Sequence, residues 1–187
     1  SLEGNTIVAF ADTLFKADFS LSENYDGIIW TKKVDDPSSF GVVEKDDQDI
    51  VTGFYEKPKD FVSDEAIIGI YYFKKGEDLA REIKYLLDNK ITGNGEYQLT
   101  DALERMKKDN NKFSTGVVDQ WFDCGNKEAT VDTNKQILQY LSSKELEPFP
   151  YKSSNSVVIH PCYIGKNVIL NNTIVGPYVS IGDNTRI

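Results

Sequence analysis

The sequence predicts an α/β domain over residues 1–148, a linker at 149–156 and the start of a parallel β-helix over 157–187. Three observations carry this. Strand-like and helix-like segments interleave through the first part of the chain, as in a sheet covered by helices. Glu147-Pro148-Phe149-Pro150 stops any preceding helix, because proline disfavours helix in the residue before it. Beyond the polar Ser153-Ser154-Asn155-Ser156, helical periodicity gives way to apolar residues at steps of 6, 6, 5, 6 and 6.

Thr6–Ala11 is a short apolar run of the kind found in buried strands. Gly27–Lys33, Phe40–Glu44, Ile50–Glu56 and Ala66–Phe73 are rich in Ile, Val, Tyr and Phe and read as further strands. Asp46-Asp47-Gln48-Asp49 is a tight polar turn, so residues 40–56 are expected to form a hairpin. Lys74–Asn89 places Leu79, Ile83, Leu86 and Leu87 at helical spacing, and Tyr97, Leu99, Ala102, Leu103 and Met106 mark a second helix. Phe113–Asp119 and Trp121-Phe122 return to strand. Lys127–Ser142 is a third helix, with Val131, Ile137, Leu138 and Leu141 expected to face inward.

In the last segment the recurring apolar residues are Val158, Ile164, Leu170, Val175, Ile181 and Ile187, with Gly165, Gly176 and Gly182 directly after three of them. This is a hexapeptide period, the signature of a parallel β-helix. A meander would alternate with period two instead. Stacked coils need neighbours on both faces, and Ile187 falls on a repeat position. Ser1 stands where a native start would have Met, and a strand pattern begins at Thr6. Both ends of the chain are therefore expected to be cut.

The 187 residues carry a net charge of −9, one His and two Cys. Two cysteines make no disulfide framework, so a reducing, cytoplasmic setting is expected. The acidity argues against nucleic acid or an anionic membrane surface as partner. The longest apolar run, Ala66–Phe73, is far short of the roughly 20 residues that span a bilayer. The charge is uneven: residues 151–187 carry +2 and the first 150 carry −11. A phosphate substrate would need a divalent metal or a pocket lysine to reverse that field locally.

Asp12 ends the first strand, where ligands of α/β sheets gather, or it caps a following short helix. Asp123, before Gly125, ends another strand. Two such carboxylates could share one Mg²⁺, a hard ion that takes one or two of them and completes its shell with water and phosphate. Glu56-Lys57-Pro58 ends the hairpin: a Glu that can accept from sugar hydroxyls and a Lys that can neutralise phosphate, or a solvated charge pair at a turn. Gly93-Asn94-Gly95 follows a helix and reads as a turn; no dinucleotide or P-loop fingerprint occurs. His160, Cys124 and Cys162 lack metal-ligand spacing.

Six segments, in order, resemble the sugar-phosphate nucleotidyltransferases, the family of glucose-1-phosphate thymidylyltransferases and uridylyltransferases. They are Asp12-Thr13-Leu14-Phe15, Phe40-Gly41-Val42-Val43-Glu44, Tyr55-Glu56-Lys57-Pro58, Ile67-Ile68-Gly69-Ile70-Tyr71-Tyr72, Gly95-Glu96-Tyr97-Gln98-Leu99-Thr100-Asp101 and Trp121-Phe122-Asp123-Cys124-Gly125. The resemblance implies part of a Rossmann-like sheet followed by a left-handed β-helix. It implies that Asp12 and Asp123 hold catalytic Mg²⁺, that Glu56 hydrogen-bonds sugar hydroxyls, and that Lys57 contacts the sugar 1-phosphate. Gly41 and Gly69 would leave room for the sugar, with Ile67 and Tyr71 lining its pocket. The implied reaction is in-line attack of a sugar 1-phosphate oxygen on the α-phosphorus of a nucleoside triphosphate, releasing pyrophosphate. Such chemistry rests on positioning and charge neutralisation.

Ala11 and Thr13 replace the Gly and Asn frequent around the family's first Asp. The Gly-rich loop with Arg, and the later Pro-Lys, have no counterpart in this sequence. The expectation is a sugar- and metal-binding part with almost no nucleotide site, inactive alone and homo-oligomeric. Two rivals are a non-catalytic regulatory or assembly subunit, and a hexapeptide acyltransferase. The second needs more coils and a catalytic His than this tail offers.

Overall fold

A computed structural model describes residues 2–17, 19, 21–93, 95–144 and 149–187. The chain divides into two compact units, Ser1–Trp121 and Phe122–Ile187. Glu147 and Pro148, where the sequence places the helix break, lie outside the described residues, as does Asn94 of the predicted turn.

The first unit runs β1 (Thr6–Ala9), β2 (Thr13–Lys16), β3 (Gly27–Lys33), β4 (Gly41–Lys45), β5 (Val51–Glu56), β6 (Glu65–Phe73), α1 (Gly76–Asp88), α2 (Leu99–Lys108) and β7 (Phe113–Val117). Its sheet has the order β5-β4-β6-β3-β7, with β1 also paired to β6. Only β3 and β7 are parallel; the β1, β3 and β4 pairings with β6 and the β4–β5 hairpin are antiparallel. A parallel pair needs a long crossover, usually helical, and both helices of this unit come after β6. Of the paired strands, only β7 follows them. The hairpin forms as predicted, its turn closed by Asp46, whose Oδ1 accepts from the amides of Gln48 and Ile50.

The first strand corrects an expectation. Thr6–Ala9 is not buried: it alternates half-buried and exposed residues, and Ile7 is 61 % exposed. It pairs with β6 through one edge only, so only part of it reaches the core. No helix follows Asp12; the chain turns there and re-enters strand as β2.

The sheet has an apolar cluster on each face. On one side Ile29, Val43, Phe54, Ile67, Tyr71, Phe73 and Phe113 pack with Leu79 and Leu86 of α1 and Ala102, Leu103 and Met106 of α2. On the other Ile28, Trp30, Ile68, Ile70, Tyr72 and Val118 meet Phe15 and Trp121. The α1 stripe is narrower than its sequence suggests, for Leu87 is about half exposed. Glu82 takes its place on the buried face, held by Arg81 and Arg105, each through Nε at 2.9 Å.

The second unit holds the end of β8 (Gln120–Asp123), α3 (Lys127–Ser142) and six short strands, β9 (Lys152–Ser154), β10 (Val157–Val158), β11 (Tyr163–Ile164), β12 (Ile169–Asn171), β13 (Ile174–Val175) and β14 (Ser180–Ile181). Asn126 caps α3 by accepting from the Ala129 amide. Leu138 is buried, but Val131 is 65 % exposed and does not face inward as predicted. The strands pair in parallel, β9–β12, β10–β13 and β11–β14, each residue with the one 17 positions on. Ile164, Val168, Leu170, Val175 and Ile181 turn inward to form one core. Asn155, Asn167, Asn172 and Asn184 take positive φ at the corners. They stack in pairs, Asn155 on Asn172 at 2.7 Å and Asn167 on Asn184 at 3.2 Å.

Candidate functional site

The hairpin register sets Gly41 directly opposite Glu56. A Cβ at Gly41 would lie 3.1 Å from Thr100 Cγ2, 3.2 Å from Glu56 Oε2 and 3.4 Å from Ile67 Cδ1. Gly41, Glu56, Ile67 and Thr100 therefore meet at one end of the sheet. The Thr100 hydroxyl, in the first turn of α2, donates to Glu56 Oε2 at 2.9 Å. This bond commits one carboxylate oxygen and fixes its direction. The Thr100 side chain carries no charge and is buried, and its place in the Gly95–Asp101 segment gives no sign of this task; a first-turn threonine reads as an ordinary helix-start residue.

Tyr71 stands nearby and is buried. Burial raises the pKa of its phenol far above the ordinary tyrosine value, and the Glu56 charge raises it further. Ile67 and Tyr71 both belong to the helix-side core. Gly69 has a different surrounding. It takes φ +82°, and the space where its Cβ would project is filled by Phe10, 2.9 Å away. It sits where β6 carries two extra residues against β3, between the Ile29–Tyr71 and Thr31–Ile67 pairs. Such a bulge needs a residue tolerant of positive φ. Phe10 also donates its amide to Gly69 O at 2.9 Å and places its ring 5.6 Å from that of Tyr71.

Lys57 follows the last residue of β5 and leaves extended conformation with φ +43°. The opposite-face rule for adjacent strand residues thus does not apply to Glu56 and Lys57. The Lys57 amide donates to Phe40 O at 3.1 Å, and its side chain is exposed.

Asp12 is exposed in the turn between β1 and β2. Its neighbour Thr13 accepts from the Trp121 indole at 2.8 Å, and the Trp121 ring meets Phe40 edge-on at 5.2 Å. Within the first unit, one aromatic side chain so links the Asp12 turn to the strand that carries Gly41. Asp123 lies in the second unit, half-buried, where its Oδ1 accepts from the Gly125 amide at 2.8 Å and its backbone carbonyl accepts from Thr133. Both carboxylates are hard oxygen donors of the type Mg²⁺ takes. Among the described residues no group of three or more His, Cys, Asp or Glu could hold a metal ion; a magnesium bound by one or two carboxylates needs no such group.

The nucleotidyl transferase family profile matches residues 2–140. The chain is 28 % identical over 170 residues to a glucose-1-phosphate thymidylyltransferase of Streptomyces antibioticus, covering 82 % of this chain and 46 % of that protein. It is 28 % identical over 177 residues to the bifunctional protein GlmU of Methanococcus aeolicus, covering 93 % of this chain and 38 % of the relative. The chain thus spans less than half the length of either relative. The crystal structure of a nucleoside-diphosphate-sugar pyrophosphorylase from Vibrio cholerae RC9 shares the fold, with a TM-score of 0.60 at 16 % identity over 71 % of this chain and 57 % of that one. Since the matching profile covers most of the sequence, including Gly41, Glu56, Thr100 and both candidate aspartates, the chain belongs to the nucleotidyl transferase family.

Proposed function

We propose that this chain carries the sugar 1-phosphate- and metal-binding part of a sugar-phosphate nucleotidyltransferase, which joins a nucleoside triphosphate to a sugar 1-phosphate and releases pyrophosphate. The observation that carries this reading is the Gly41–Glu56–Thr100 cradle. A glycine opposite a carboxylate leaves space beside it. The threonine occupies one oxygen, and the other is left to accept from a sugar hydroxyl. The Streptomyces relative, named for glucose 1-phosphate as substrate, supports a sugar 1-phosphate ligand. Lys57 would meet the 1-phosphate as a point charge.

Asp12 and Asp123 would hold Mg²⁺, which supplies neutralisation of phosphate charge that a −9 protein otherwise opposes. The Trp121–Thr13 bond restrains the turn that presents Asp12. For the second unit we read the start of a left-handed parallel β-helix through which copies associate. The parallel ladders at a 17-residue offset and their aliphatic core support this. Free Cys124 and Cys162 agree with a reducing cytoplasm, and no described helix is long and apolar enough to cross a membrane.

The 187-residue sequence has no Gly-rich triphosphate loop. Given a nucleoside triphosphate, a sugar 1-phosphate and Mg²⁺, it should release no pyrophosphate, while calorimetry should detect binding of glucose 1-phosphate with Mg²⁺. Turnover would refute the inactivity. Glucose 1-phosphate binding that survives Glu56→Ala unchanged would refute the sugar site.

A further inference from the structure

We infer that the second unit builds a binding site for a small phosphorylated anion between Lys152 and Arg186. The site is a cavity of about 400 Å³, within the range of small-molecule pockets, lined by Pro150, Tyr151, Lys152, Asn167, Ile169 and Arg186 among others. It lies within one unit, and the inference does not rest on the transferase reading.

Charge marks this cavity out. Residues 151–187 contain three cations, Lys152, Lys166 and Arg186, and a single carboxylate, Asp183. Two of the three gather here. Lys152 and Arg186 line the cavity. The Lys166 ammonium lies 5.1 Å from the ring centre of Phe149, the residue before Pro150. The Asp183 side chain is not part of the lining; its Oδ1 accepts from the Lys166 amide at 2.8 Å. Among the described residues none of the three cations forms an ion pair. Lys152 and Arg186 thus bring two cations, without an ion-pair partner among the described residues, to one cavity of an acidic molecule.

The register positions it. Ile169 pairs with Lys152 on one side and Arg186 on the other. The two cations therefore stand two strand spacings apart, about 10 Å along the stack, with Ile169 between them. A guanidinium fork receives phosphate oxygens in pairs, and an ammonium adds a mobile point charge. Tyr151 and Ile169 offer apolar surface to the organic body of such a ligand. An extended polyanion would be repelled by the net charge of −9, so the ligand is small.

The test is a titration of the ¹⁵N-labelled chain with phenyl phosphate, with EDTA present so that no divalent metal contributes. Saturable shifts are expected in the amides of residues 151–152, 167–169 and 184–186. The double variant Lys152→Gln/Arg186→Gln should weaken binding at least tenfold, and Lys152→Arg should retain it. No saturable shift, equal binding by the double variant, or shifts centred instead on Gly41, Glu56 and Lys57 would overturn the proposal. Sedimentation with phosphatidic-acid vesicles would overturn it too, by placing the phosphate on a membrane.

Discussion

Glu56 depends on a neutral neighbour. Its half-buried carboxylate has one oxygen held by Thr100, and Gly41 stands opposite. Thr100→Val keeps the shape but removes the donor, so a hydrogen bond to a charged group is lost at a site that water only partly reaches. The loss should cost about 1.5–2 kcal/mol, read as a lower urea midpoint at unchanged slope. Gly41→Ala acts differently. Its new methyl needs Thr100 or Glu56 to give by a few tenths of an ångström, so sugar 1-phosphate binding should fall more than stability does.

Tyr71 gives a pH dependence with a definite sign. Burial, then the Glu56 charge, raises its pKa in the folded chain. The folded state therefore keeps the phenolic proton to higher pH than the unfolded state. Stability from this group is fully present below the ordinary tyrosine pKa of about 10 and falls as pH rises above it. Absorbance at 295 nm should show exposed tyrosines ionising first and Tyr71 ionising only as far-UV circular dichroism is lost. If Tyr71 titrates with the exposed ones while structure persists, its phenol is open to solvent.

At the scale of elements, the corners of the parallel strands carry asparagine in positive φ, each side chain bonded to its counterpart one coil away. Asparagine tolerates that conformation better than alanine, and glycine tolerates it best. Asn172→Ala should cost about 1–2 kcal/mol, from strain plus the lost side-chain bond. Asn172→Gly should recover the strain part, and thermal melts of the pair would separate the two terms. These repeats were legible in the sequence because one spacing recurs locally. The hairpin and the three helices were legible for the same reason: turn residues and apolar spacing lie within one segment. The exposure of β1 is not legible locally, because it depends on which edge of β6 the strand joins, a pairing about 65 residues away in sequence. Gly69 looked like an opening for a ligand. Its positive φ and the Phe10 ring beside it come from a bulge that only the β3–β6 register reveals. Periodicity alone places Val131 inward, for it orients a stripe but cannot say how wide the covering surface is.

At the scale of the molecule, two units of unequal core share one chain. The first buries aromatic and aliphatic side chains on both faces of a six-stranded sheet. The second buries five aliphatic residues between strands of two or three residues. Local stability follows the apolar contacts that an opening must break. Amides in β3 and β6, at the centre of the sheet and with both faces covered, therefore open only with the first unit as a whole. Residues 182–187 bury no side chain, and Ile187 is half exposed. Their amides can open without disturbing Leu170 and Val175. Hydrogen exchange measured by mass spectrometry should show residues 182–187 exchanging at least a hundredfold faster than residues 28–30 and 67–72. Fluctuation uniform across both regions would mean that the C-terminal strands and the sheet unfold as one cooperative body, contrary to their separate cores.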